Sequence, residues 1–381
     1  MAKIKTQSIE DQQLAQQQWN RYVRARDNGH LQYVEMAKKC DAFYRGEVAT
    51  RIEADMRANG GLITRADLAA YRPIEREPLV GTYRGVTVYT PPPASGGGAL
   101  LLMLNILENF ELGRMAAGSA ESLHLLAETM RLGHRDRVRF FGDTDFAKVP
   151  LEGMTSKAYA AQRAKLINKR KAAKNDAVKA GDPFAFESPS TTHYSVADRY
   201  GNVVSVTYTL GSDFGSGTMI DGTGILLNNQ MNNFSHERAW SAARSGEPAP
   251  PNAMQPGKRM ISTMMPTLVF RDDKPWLALG TPGGGRIINT VLQVLVNIVD
   301  FRLNVDEATH QARISQGDGA LEVEPNFNPD TLELLRRKGH RIKASETMGS
   351  AQSIAIENGF FLGAADPRRP GAAAVAPAEV K

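Results

Sequence analysis

Thr191 heads a stretch rich in β-branched and aromatic residues that runs to Leu210 and is interrupted by Gly201-Asn202. A threonine hydroxyl is a weak nucleophile unless a base lies beside it, and a free α-amine on the same residue can be that base. A mid-chain threonine gains such an amine only when the bond before it is cut. These residue types point to a precursor that cleaves itself at Ser190-Thr191, with an ordinary solvent-facing hairpin as the alternative. Thr209, on the return strand, falls within one residue of the position opposite Thr191, where its hydroxyl would orient the nucleophile. Pro282-Gly283-Gly284-Gly285 lies at a strand-to-helix junction, where successive backbone N–H groups make an oxyanion hole or merely start a helix. Asn228-Asn229-Gln230-Met231-Asn232-Asn233 offers donors and acceptors without charge. The seven histidines form no HExxH or similar ligand spacing, so no metal and no cofactor are expected, and His193 is not needed as the base. A GxSxG elbow is absent as well.

The elements that position these residues can be read from pattern. Residues 8–57 carry apolar side chains at helical spacing, and Gly60-Gly61 stops them. Thr64 with Asp67 caps a short helix, and residues 79–90 alternate as a strand pair around Gly85. Pro91-Pro92-Pro93-Ala94-Ser95-Gly96-Gly97-Gly98 leads into a helix from Ala99, with no Lys-Ser/Thr pair to complete a phosphate loop. Further helices are expected over 119–141 and about 156–180. Beyond the hairpin come a Gly-rich loop (211–224), a Pro/Ala/Ser-rich loop (241–257), strands at 267–271 and 276–279 joined by Asp272-Asp273, and a helix over 286–300. Asn289, Thr290, Gln293, Asn297 and Asp300 interrupt the apolar run in that last helix, which makes it a buried element. The natural boundary lies at 181–190, dividing 1–190 from a catalytic segment 191–381 that ends in an Ala/Pro-rich tail.

Bulk composition narrows the partners. The chain has 381 residues, 42% of them hydrophobic and 23% charged, as in globular proteins. Neither a membrane span nor a signal peptide is read, so a cytoplasmic location and no membrane partner are expected. The basic run Lys165 to Lys179 lacks interleaved aromatics, so it is a solvated helix or linker and no nucleic-acid partner is expected.

Taken together, the motifs resemble those of the γ-glutamyltransferases. The resemblance rests on Thr191-Thr192-His193-Tyr194-Ser195-Val196, Gly224-Ile225-Leu226-Leu227-Asn228-Asn229-Gln230-Met231, Pro256-Gly257-Lys258-Arg259 and Met265-Pro266-Thr267. Gly280-Thr281-Pro282-Gly283-Gly284, Ala365-Asp366-Pro367-Arg368 and, upstream, Gly60 to Thr64 and Pro91 to Gly97 extend it. It implies an α+β fold, the αββα sandwich of the N-terminal nucleophile hydrolases. It also implies a precursor cut before Thr191 into a large and a small fragment that stay associated. Thr191 would be the nucleophile, its freed amine the base and Thr209 the support for its hydroxyl. Gly283 and Gly284 would hold the oxyanion, Ser262 and Thr263 the α-carboxylate of a small γ-glutamyl substrate, and Gln230 its α-amine. Water or an amine would accept the acyl group.

Three departures from the family pattern bear on the substrate. Asn232-Asn233 replaces the usual pair of aspartates, so the carboxylate expected at 233 is a neutral amide. Loss of a charge-assisted bond of roughly 1.5–3 kcal/mol would weaken γ-glutamyl selection more than tenfold. Gly211 stands where an asparagine usually contacts the same amine. The family's N-terminal strands and helices, with an arginine that grips the α-carboxylate, have no counterpart in residues 1–40. The sandwich is therefore expected to be incomplete on that side, or completed by a further polypeptide. A glutathione-type hydrolase/transferase is the leading expectation, with a glutaryl-type acylase or a degenerate, non-catalytic remnant as alternatives.

Overall fold

A computed structural model describes residues 41–173 and 191–374. The helical pattern before residue 41, the boundary at 181–190 and the last residues of the tail lie outside the described residues. The chain divides into two compact units, one reaching to Ile74 and including Met219–Leu226, the other Glu75–Thr218 with Leu227–Lys381.

In the first unit, helix Glu47–Ala58 buries Ala49, Ile52 and Met56 at helical spacing. Its end is capped where the Gly61 N–H reaches the Met56 carbonyl at 2.7 Å. Helix Arg65–Ala70 starts from a capping box: Thr64 Oγ1 accepts from the Asp67 N–H at 3.2 Å and the Thr64 N–H donates to Asp67 Oδ2 at 2.8 Å. The expected Gly-rich loop contains strand Met219–Ile220, paired with Ile225–Leu226. That ribbon is tied to the first helix where the Asp221 N–H donates to Asp55 Oδ2 at 3.0 Å.

The second unit is built on a six-stranded antiparallel sheet in the order Leu79–Tyr83, Val86–Thr90, Thr267–Arg271, Lys274–Gly280, Gln352–Glu357, Phe360–Ala365. Three of its connections are two-residue turns with both residues at positive φ: Arg84-Gly85 (50° and 86°), Asp272-Asp273 (52° and 58°) and Asn358-Gly359 (52° and 82°). That geometry matches the right-handed strand twist and closes tight hairpins.

The two faces of the sheet are covered differently. A Cβ on Gly280 would lie 2.1 Å from the His193 ring, so this face of strand Lys274–Gly280 meets hairpin Thr191–Ala197/Val203–Thr209. Side chains alternate along a strand, so Leu277 and Leu279 point the other way, into the main apolar core. Helices Gly97–Leu107 and Ile287–Val299 form that core, apolar on nearly every side and buried, with the longer helix Ala120–Phe140 packed outside the first. Asn289 and Gln293, one turn apart, face strand Ile314–Ser315. Asn289 Nδ2 donates to Ser315 Oγ at 2.9 Å, and Gln293 exchanges two 2.9 Å bonds with the backbone of Ile314. Asn289 and Gln293 thus have partners, as burial requires, whereas the buried Thr290 hydroxyl has none among the described residues.

Two expected elements differ. Of the basic helix expected over about 156–180, Lys157–Ala164 is helical and 165–173 is not, while 174–180 lies outside the described residues. The chain then docks instead of continuing as a helix: Ile167 and Ala172 are buried, and the Ala172 N–H donates to the Lys338 carbonyl at 2.7 Å. The loop placed at 241–257 begins only after helix His236–Ser245, which ends at Gly246 with φ of 72°.

Candidate active site

The hairpin places its hydroxyls by register. Thr191 pairs directly with Thr209, one residue closer than hairpin counting guaranteed, and the Thr191 hydroxyl donates to Thr209 Oγ1 at 3.2 Å. Thr209 Oγ1 also accepts from the Gly211 N–H at 2.9 Å, which fixes the hydroxyl behind the buried Thr191. Below this pair, the inward face of the hairpin is unusually polar for a layer between two sheets. His193 hydrogen-bonds Thr207 Oγ1 at 2.7 Å and Ser195 Oγ at 3.2 Å. Ser195 and Ser205 donate to the Gln352 and Leu279 carbonyls of the large sheet, at 3.3 and 3.1 Å. Burial lowers the His193 pKa to about 4, so the ring is neutral near pH 7 and is held as a packing and hydrogen-bonding group. The outward face carries Tyr194, Val196, Val204 and Tyr208, between 45% and 60% exposed. Sequence reasoning set His193 aside as a base; its i+2 spacing from Thr191 puts both on one face of the strand.

Thr191 and Thr209 line a cleft with Gly211, Gln230, Asn233, Ser262, Thr263 and Gly284. Gln230 and Asn233 lie on one 3-10 turn, where Asn233 Nδ2 donates to Gln230 Oε1 at 2.8 Å. Gly211 has φ of 97°, and a Cβ there would fall 1.9 Å from Asn229 Oδ1. The Asn229 amide fills that space and holds Ser212 through its backbone N–H (2.9 Å) and Oγ (2.6 Å). Among the described residues, the cleft lining, which also includes Ser212, Asn229, Asn232 and Met264, has no ionisable side chain.

Ser262 and Thr263 are held against the Pro-Gly segment: the Ser262 N–H donates to the Ala94 carbonyl at 2.6 Å, and the Thr263 carbonyl lies 3.2 Å from a Cβ built on Gly96. Those glycines allow close backbone packing behind the cleft. At the Pro282-Gly283-Gly284 turn, φ is 138° at Gly283 and 56° at Gly284. Gly284 faces the cleft, while Gly283 packs one residue back, where its Cβ would lie 3.1 Å from Gly349 Cα. Thr281 Oγ1 locks that neighbour by accepting from the Ser350 N–H at 2.8 Å. Among the described residues, no helix is long and apolar enough to cross a membrane.

Comparison with known proteins bears on this geometry. The family model described as Gamma-glutamyltranspeptidase matches residues 30–376. The chain is 46% identical over 332 residues to the glutathione hydrolase proenzyme of Escherichia coli K12, covering 86% of this chain and 57% of the relative. It is 38% identical to the acylase ACY 1 proenzyme of Pseudomonas sp. strain SE83, covering 87% and again 57%. Among solved structures, the cephalosporin acylase of Bacillus halodurans superposes with a TM-score of 0.76 at 32% identity, covering 86% of this chain and 58% of that one. The chain thus spans somewhat over half the length of these relatives.

Proposed function

We propose, since the chain belongs to the gamma-glutamyltranspeptidase family, that it is an acyl-transfer enzyme of the N-terminal nucleophile type acting on γ-glutamyl amides. Cleavage between Ser190 and Thr191 frees the Thr191 amine, which takes the proton from Oγ1 as that oxygen attacks the γ-carbonyl. Backbone N–H groups at Gly283 and Gly284 stabilise the oxyanion. The substrate's amide C–N bond breaks, its amine leaves with the proton returned by the Thr191 ammonium, an acyl ester remains on Thr191, and water or an acceptor amine releases the acyl group. Ser262 and Thr263 receive the α-carboxylate, and Gln230 and Asn233 the α-amine. One observation carries this reading: the Thr191–Thr209 hydroxyl pair at 3.2 Å opens into the same cleft as those groups.

The cut would leave two fragments that share a sheet. Strands Leu79–Tyr83 and Val86–Thr90 precede Thr191, yet Thr87 to Tyr89 pair with Leu268 to Phe270. Helices Gly97–Leu107 and Ile287–Val299 share one core across the same division. Separation would expose both a sheet edge and that core, so the fragments stay associated.

A second acyl preference is favoured by the uncharged lining of the cleft. A glutaryl group has no ammonium and loses nothing against Asn233, whereas a γ-glutamyl group forgoes a charge-assisted partner. The test is to incubate purified protein with γ-glutamyl and glutaryl anilides and weigh the fragment beginning at Thr191. A fragment gaining one γ-glutamyl group, with faster turnover of that anilide, supports the leading reading. Preference for the glutaryl anilide, shifted more than about tenfold toward γ-glutamyl by Asn233→Asp, supports the second. Absence of any acyl adduct and of turnover with both would leave the chain a non-catalytic member of the family.

A further inference from the structure

Far from the cleft residues in sequence, helix Ala120–Phe140 carries His124 and Glu128 one turn apart on one face, and His340 follows helix Pro329–Arg337. All three are buried, and one ligand atom from each lies within 4.8 Å of the others. A search for HExxH misses this trio, because its second histidine comes from 216 residues away.

The tautomers are set by the neighbours. His124 Nε2 lies 2.8 Å from the Asn168 carbonyl, which can only accept, so Nε2 carries the proton and Nδ1 presents a lone pair. That lone pair meets His340 Nε2 at 2.7 Å. On the far side of the second ring, His340 Nδ1 is buried with no hydrogen-bond partner among the described residues. Glu128 is oriented in turn, since its Oε2 accepts from the Ala173 N–H at 3.1 Å. A histidine pinned through its outer N–H to a backbone carbonyl, beside a carboxylate pinned by a backbone N–H, is the outer support that metal ligands require.

We propose that His124 Nδ1, His340 Nε2 and Glu128 Oε1 form a structural site for one divalent transition-metal ion of the zinc class. Two imidazoles and a carboxylate suit that class better than calcium or magnesium, which prefer oxygen donors. Binding moves the His340 proton from Nε2 to the unpartnered Nδ1, so no net proton release is needed from that ring. Tetrahedral ligation at 2.0–2.1 Å sets donor atoms about 3.3 Å apart, so the rings part by about half an ångström. The competitor is Arg131, whose Nη2 lies 3.2 Å from Glu128 Oε1. Arg131 keeps its bond to the Ala173 carbonyl when the carboxylate turns to the ion. The ion would staple the long helix to the turn at His340, with Asn168 and Ala173 held through the hydrogen bonds of His124 and Glu128.

The test uses the full chain without a polyhistidine tag, stripped by chelator, incubated with zinc sulfate and dialysed. Wild type should retain about one zinc per chain, and its Tm should rise by about 5 °C with zinc. His124→Gln/His340→Gln should retain less than about a tenth as much and show no zinc-dependent shift. Retention equal to wild type in that variant, or none in folded wild type, overturns the site. If the variant fails to fold, Co²⁺ in the wild type decides: a tetrahedral visible spectrum supports the site and a hexa-aqua-like spectrum overturns it.

Discussion

The helix-covered and hairpin-covered faces of the central sheet are built on opposite terms. On the helix side Leu277 and Leu279 enter a core of leucine, isoleucine and valine, where burial depends on volume and little on direction. On the hairpin side a glycine, Gly280, meets an imidazole, and serine hydroxyls reach main-chain carbonyls. Hydrogen bonds are directional, so this face sets the hairpin's register as well as its distance. A one-residue slip would turn Thr191 and His193 outward and bring Tyr194 in. Stability resides on the first face; placement of the nucleophile resides on the second.

Substitutions on either side should separate those roles. Leu101→Ala empties the space over Gly81, where a Cβ on the glycine would lie 2.7 Å from Leu101 Cδ2, and should cost about 2–5 kcal/mol in denaturant unfolding. Activity per folded molecule should change little. Gly280→Ala drives a methyl into the His193 ring and should cost about 1–3 kcal/mol, with turnover falling more than the lost stability accounts for. If Leu101→Ala damages turnover per folded molecule as much as Gly280→Ala does, the division between the faces is wrong.

The hairpin face should also have its own pH signature. His193 has a folded pKa of about 4, below the ordinary 6.5, so its contribution is present above pH 6.5 and is lost as pH falls toward 4. His193→Gln should reduce the slope of unfolding free energy against pH in that window by up to about 1.4 kcal/mol per unit. An unchanged slope would mean that the ring is not held neutral. The smallest expected effect is that of Thr209→Val, which removes the acceptor for the Thr191 hydroxyl and should lower kcat by about tenfold while leaving KM nearly unchanged.

Much of this arrangement was legible because it is local. The Thr64–Asp67 cap, the Asp272-Asp273 turn and the Thr191–Thr209 pairing each follow from residues a few positions apart or from hairpin counting. The features not legible depend on distant partners. Lys157–Ala164 ends early because Ala172 docks on the backbone at Lys338. Gly211 reads from sequence as a lost substrate contact; its φ and the Asn229 amide occupying its side-chain space are tertiary facts. The difference between Gly283 and Gly284 depends on Gly349, and the His124–His340 pair on two helices meeting.

The most direct test of the central claim, that Thr191 is a nucleophile unmasked by cleavage, is the intact mass of freshly purified wild type beside Thr191→Ala. The account predicts two wild-type fragments divided at Ser190-Thr191, co-eluting as one species, and a single uncut chain in the variant. A wild type that remains one uncut chain, or a variant cut at the same bond, would contradict it.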